Sequence, residues 1–222
     1  MEEDTLRRIF CGLLPGRRAF QVFFFSGGIK MKTQKKPIFV LTRCAVLSAI
    51  AIVLFYFEIP IVPPYKLDFS TLPAILAGFA MGPVSGIAVV LIKNLVHMLS
   101  SSSGLVGELA DFIMSCAYVI PASLLYRLRK NRSGALVSMI IGTVIMTVVA
   151  ALVNKFILFP LYGMSDEAIV GLGQTVSKFI DSPIKFILLI TAPFNILKGF
   201  ALSSVTFLLY KRVSPLLHQH IS

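Results

Sequence analysis

Charged side chains are scarce in this sequence: 14% of its 222 residues are Asp, Glu, Lys or Arg, against 56% hydrophobic residues and a mean hydropathy of +0.86. A soluble domain cannot bury so large an apolar fraction and keep a polar exterior, so the composition is that of a membrane protein. The shortage of charge also excludes a nucleic-acid surface, despite a net charge of +11. The basic residues lie in short stretches beside apolar runs, as positive-inside topology requires, and not along one continuous face. Cysteine is sparse as well. Cys11, Cys44 and Cys116 lack metal-ligand spacing, and Cys44 and Cys116 fall in apolar stretches where a thiol acts as a small hydrophobe, so neither a disulfide nor a metal site is expected. The three histidines are scattered and there is no HExxH pair, which argues against a hydrolytic metal centre. The sequence has no GxxxxGK[ST] phosphate loop, so it has no P-loop with which to hydrolyse ATP, and any ATP-driven step would need an ATPase partner.

What the chain does have is a series of long apolar runs. Residues 1–34 stand apart from them: the opening MEEDTLRRIFCGLLPGRRAF is mixed in charge, and the apolar run Phe20–Phe25 is too short to span a bilayer. Glu2, Glu3 and Asp4 and the Gly27-Gly28 pair fit a secretory signal poorly, whereas Met31 opens MKTQKKP, which reads as a natural start with a basic lead. We expect 1–34 to be a disordered arm or an extended start, 35–213 to be the membrane domain, and 214–222 to be a cytoplasmic tail. Six apolar segments follow, at about Phe39–Phe57, Thr71–Met81, Val84–Leu99, Leu105–Tyr126, Ala135–Phe159 and Ile184–Tyr210. The second and third form a tight hairpin at Gly82-Pro83, and the polar stretch Tyr162–Pro183 has room for a short interfacial helix. The expected fold is an all-α bundle of six transmembrane helices. Lys30, Lys32, Lys35, Lys36 and Arg43, then Arg127, Arg129, Lys130 and Arg132, then Lys211 and Arg212 all fall on one side of such a bundle, which places both termini in the cytoplasm.

Polar residues within these segments gather in the outer half. Lys198 stands near the middle of the last apolar run, where a lysine costs ~2.5–3.5 kcal/mol on insertion scales and calls for a bundle interior or a wet cavity. Asn195 shares its helical face, one turn earlier and ~15 Å below the start of the helix. Lys93 and Asn94 on the third helix, Glu108 and Asp111 opening the fourth, and Asn154 near the outer end of the fifth complete a set that can line a cavity open to the outside. Structural roles compete: Glu108 and Asp111 also suit a helix N-terminus, Lys93 also suits an ion pair with either, and Asn154 also suits a hydrogen bond between helices. His97, alone at an outer helix end, reads as an interface residue.

Four stretches carry a resemblance: KLDFSTLPAILAGFAMGPVSG, GELADF at Gly107–Phe112, NKFILFPLYGM from Asn154, and APFNILKG at Ala192–Gly199. Together, over about Lys35 to Arg212, the chain resembles the riboflavin-specific substrate-binding (S) component of energy-coupling factor (ECF) transporters. The resemblance implies high-affinity capture of riboflavin from outside as a transported ligand and not as a cofactor. It also implies docking on a coupling module of one transmembrane protein and two ATPases in the cell membrane. It marks Asn195, Lys198, Asn154, Glu108, Asp111, Lys93 and Asn94 as ligand-site candidates, with Lys66 and Asp68 carried on a lid at Tyr65–Phe69. Such a ligand, a flat ring with an amide-like edge and a polyhydroxyl tail, suits apolar walls with a few amide and charged groups. Ala45 and Ala49 form a small-xxx-small pair where the family meets its transmembrane partner. Two other readings stay open on the sequence: an S component for another vitamin, and an intramembrane enzyme using a serine near Lys198, although Ser203 and Ser204 point to the cytoplasmic half.

Overall fold

A computed structural model describes residues 37–62, 65–100 and 105–218, with side chains from 38 to 209 within those ranges, so the arm expected at 1–34 lies outside the described residues. Helix α1 (Pro37–Tyr56) leads into a two-stranded antiparallel ribbon, β1 (Ile59–Val62) and β2 (Tyr65–Leu67), in which Ile59 faces Leu67 and Pro60 faces Lys66. This ribbon replaces the irregular loop expected between the first two helices. Next come α2 (Thr71–Met81), α3 (Pro83–His97), α4 (Val106–Leu128) and α5 (Arg132–Val153). The α5 helix continues through one π turn (Asn154–Leu158) into α6 (Phe159–Leu161). The short α7 (Asp166–Gln174) occupies the polar stretch assigned to an interfacial helix. Finally α8 (Pro183–Phe186) passes through a second π turn (Ile187–Thr191) into α9 (Ala192–His218).

Local chemistry sets the breaks. Gly82 turns the chain at φ 107°, a left-handed conformation natural to glycine, and Pro83 then starts α3 where its missing N–H costs nothing. Asn131 caps α5 by accepting from the Gly134 amide at 2.6 Å, and Ser165 caps α7, whose first turn carries Asp166 and Glu167 against the positive end of the helix.

Among the described residues, four helical stretches are long and apolar enough to cross a membrane: Ile38–Tyr56, Val106–Leu128, Arg132–Leu161 and Pro183–Leu209. The α2 and α3 helices are apolar but shorter. Their hairpin is packed against α4 so closely that a methyl group on Gly86 would stand 2.6 Å from Val119 Cγ1 and 3.0 Å from the Ala74 carbonyl oxygen. Leucines, isoleucines and valines on the outward faces of α1 and α5, such as Leu41, Val53, Ile140 and Val148, are exposed, as lipid-facing positions should be.

Two apolar cores hold the bundle. One, around Phe79, Tyr118 and Tyr126, fills the end where Arg127 abuts the Gly82 turn. The other, around Phe159, Ile180, Phe186 and Ile190, lies where the π turns are. Polar side chains are inserted between these cores, and they define the site.

Candidate functional site

Lys198 reaches from α9 into the bundle and donates to Asp68 Oδ2 at 2.8 Å and to Asp111 Oδ1 at 3.4 Å. The other oxygen of Asp111 accepts from Lys93 Nζ at 2.8 Å and from the Asn94 amide at 3.2 Å. Lys93, fully buried at 0% exposure, also donates to Ser70 Oγ at 2.5 Å and lies 4.6 Å from the centre of the Phe55 ring. Four charges from three helices and the β2–α2 link thus cancel in one buried cluster. Each has an opposite partner, which is the condition under which buried charge is tolerated.

Asp68 is held in place by its own chain. Its Oδ1 accepts from the Ser70 backbone amide at 2.9 Å and from the Ser70 hydroxyl, an Asx-type turn that leads directly into α2. Burial pushes its carboxyl up, but the Lys198 and Lys93 ammonium groups outweigh burial and hold it below the usual carboxylate range. A carboxylate depressed by folding stabilises the fold at pH values above its unfolded pKa of about 3.9, and that contribution is lost as pH falls through the lower folded value.

A cavity of about 280 Å³ opens against this cluster. Lys198, Asn195, Asp68 and Asp111 form one wall, Glu108 and Lys66 stand in its lining, and Phe55, Tyr65, Met114 and Phe194 supply apolar surface. The volume lies just below the ~300–1,000 Å³ usual for small-molecule sites. Glu108 pairs with His97 Nδ1 at 3.0 Å, and His97 in turn stacks on Phe55, with ring centres 3.9 Å apart. Lys66 pairs with Glu58 across the ribbon.

Six of the nine residues singled out from the sequence therefore line one cavity: Asn195, Lys198, Glu108, Asp111, Lys66 and Asp68. The remaining three do not line it. Lys93 and Asn94 stand behind Asp111, and Asn154, at 0% exposure, lies behind Tyr65. Tyr65 is no surface flap either: its ring stacks on Phe194 at 5.1 Å, and its hydroxyl donates to Asn154 Oδ1 at 2.6 Å and lies 2.6 Å from Thr191 Oγ1. Burial pushes this phenol above its ordinary pKa, partly opposed by the Thr191 hydrogen bond, so the hydroxyl keeps its proton. His97, read from the sequence as an interface residue, is part of the lining. Sequence reasoning also passed over Phe55, Met114 and Phe194. Phe194 had a usable signal, since it precedes Lys198 by four positions and so shares its helical face. Phe55 and Met114 had none, because an aromatic or a methionine in an apolar helix is ordinarily packing.

A helical membrane bundle with a charge-balanced, partly aromatic cavity in its interior is the architecture of a protein that captures a small molecule at the membrane. Residues 39–210 match the family described as ECF transporter, substrate-specific component, and the chain belongs to that family. It is a transporter component and not an enzyme. Riboflavin transporter RibU of Staphylococcus aureus (strain TCH60) is 38% identical over 180 residues, spanning 80% of this chain and 91% of the relative. Riboflavin transporter FmnP of Bacillus subtilis (strain 168) is 32% identical over 191 residues, spanning 80% and 93%. A solved structure described as the S component of a bacterial ECF transporter superposes with a TM-score of 0.66 at 37% identity, covering 81% of this chain and 97% of that one. The structure of ThiT from Listeria monocytogenes, at 17% identity and a TM-score of 0.57, shares the fold.

Proposed function

We propose that this chain is the riboflavin-binding S component of an ECF transporter in the cell membrane. Residues 35–213 make the membrane domain, with α2 and α3 completing six crossings and both termini cytoplasmic. The ligand site comprises the six cavity-lining candidates, supported from behind by Lys93, Asn94 and Asn154. Its partner is a coupling module of one transmembrane protein and two ATPases, met through the exposed Ala45/Ala49 face of α1.

The observation that carries this reading is the neutral sum of the wall. Lys198 in the wall and Lys93 behind it are matched by Asp68 and Asp111, so this buried cluster has no net charge for an ionic ligand to neutralise. Flat aromatic surface stands beside amide and ammonium groups, which suits an uncharged heteroaromatic ring with a polar edge. Two relatives more than 30% identical to this chain are described as riboflavin transporters.

The same charges set a specificity test. A phosphate on the ribityl tail would meet the Glu58 and Glu108 carboxylates in the lining, with Lys66 already paired. Calorimetric titration of the detergent-purified protein should therefore show riboflavin binding at least about tenfold tighter than flavin mononucleotide, a difference of ~1.4 kcal/mol. Equal affinity for the two would contradict the charge argument, and no heat with either would reject the flavin assignment.

A further inference from the structure

A second groove, of about 670 Å³, runs along the outside of the bundle between α5 and α9 and shares no lining residue with the ligand cavity. The two helices are antiparallel. The Tyr65 hydroxyl stands 2.6 Å from side-chain oxygens of both Asn154, where α5 ends, and Thr191, just before α9 begins. Further along, a methyl group on Gly199 would stand 2.4 Å from Thr143 Cγ2, so glycine lets the helices close on each other there. The groove forms over that contact, with the hydroxyls of Thr143, Thr147, Ser203 and Ser204 in its lining. Each donates to the carbonyl four positions before it, at 2.7–2.9 Å, so the lining asks for no polar partner. Every fourth residue from Leu136 to Val148 forms one wall, and every fourth from Ile196 to Leu208 forms the other. One turn beyond, the first ridge begins at Arg132 and the second reaches Arg212, and antiparallel packing puts both positions at the same end. Arg132 is exposed, and no ion pair among the described residues involves it.

We propose that this groove binds an anionic phospholipid, with one acyl chain laid between the two ridges and the phosphate at their arginine end. The length fits. From Leu136 to Val148 the wall is ~18 Å long, about one leaflet's share of a ~30 Å hydrocarbon core. The width argues against a helix of another protein, which is ~10 Å across with its side chains. Phe200, Leu208 and Val144 stand out from the walls at 68%, 73% and 59% exposure and hold such a body off, while the small residues beneath are already engaged between α5 and α9. Charge then selects the headgroup. Guanidinium forks pair with phosphate oxygens, and a zwitterionic headgroup offsets part of that attraction with its own cation. None of this depends on what the inner cavity holds.

The chain contains no tryptophan, so a single introduced one reports only its own surroundings. Phe200→Trp puts the probe on the groove wall, and Ile145→Trp puts it on an exposed part of α5 outside the groove. Each full-length variant is reconstituted in vesicles of equal parts phosphatidylcholine and phosphatidylglycerol, with one lipid or the other brominated on its acyl chains. Quenching of Phe200→Trp should show phosphatidylglycerol favoured at least about fivefold, the ratio that one basic residue near an anionic surface supplies. Ile145→Trp should show the two lipids within about twofold of each other. Adding Arg132→Gln and Arg212→Gln to Phe200→Trp should bring its ratio down to that of the control. Equal quenching by the two lipids at the groove would overturn the proposal, as would a preference that survives loss of both arginines or one equally large at Ile145→Trp. Quenching by neither lipid would mean that a helix of another protein, or a second copy of this chain, covers the groove, and would overturn it too.

Discussion

Lys198→Ala is expected to lose riboflavin binding by more than about 100-fold and, in the same variant, to lower the stability of the ligand-free protein by about 3–5 kcal/mol. Both effects come from one ammonium. It stands in the cavity wall, and it is also the partner of Asp68 at 2.8 Å and a partner of Asp111 at 3.4 Å. Removing it leaves two buried carboxylates sharing only Lys93, and an uncompensated buried charge costs more than the loss of a hydrogen bond to ligand alone. Thermal unfolding in detergent reads the stability, and titration reads the binding. Adding Asp68→Asn to Lys198→Ala should recover part of the stability, because it removes the orphaned charge, and should recover none of the binding. A single variant that melts like wild type would show that the cluster does not hold the helices together.

The second large effect lies on the opposite side of α1. Ala45 and Ala49 are exposed, one turn apart, while Cys44, Ser48 and Ala51 on the same helix turn inward. An outward stripe of small side chains permits another helix to approach closely, and leucines there would hold it away. The double variant Ala45→Leu/Ala49→Leu should bind riboflavin with wild-type affinity, since neither residue lines the cavity. ATP-dependent uptake by cells carrying it should fall to background. Wild-type uptake would place the partner elsewhere, and lost binding would mean that the stripe serves internal packing.

The elements legible in the sequence were those set by long, one-sided physical constraints. Apolar length marked the spans to within a few residues of Val106–Leu128 and Arg132–Leu161, and the polar gap after Tyr162 held α7 as its composition suggested. Charge at bilayer depth was equally informative, because Lys198, Asp111 and Lys93 have no reason to be there unless they pair. The ribbon was not legible: its few residues carry Pro60 and two consecutive prolines at 63 and 64, which read as a loop. The π turns were also invisible, since one extra residue in a helix leaves no compositional trace. Asn154, singled out from its neighbours in sequence, lies behind Tyr65 at 0% exposure, a depth that its position in the apolar run did not indicate.

The central claim is that the cavity against Lys198 is built for an uncharged flavin. The absorption spectrum of the protein purified in detergent from flavin-replete cells tests it most directly. The account predicts flavin bands that stay with the wild-type protein through gel filtration and are missing from Lys198→Ala purified alongside it. A folded wild-type protein that carries no flavin and takes up none when riboflavin is added would contradict it.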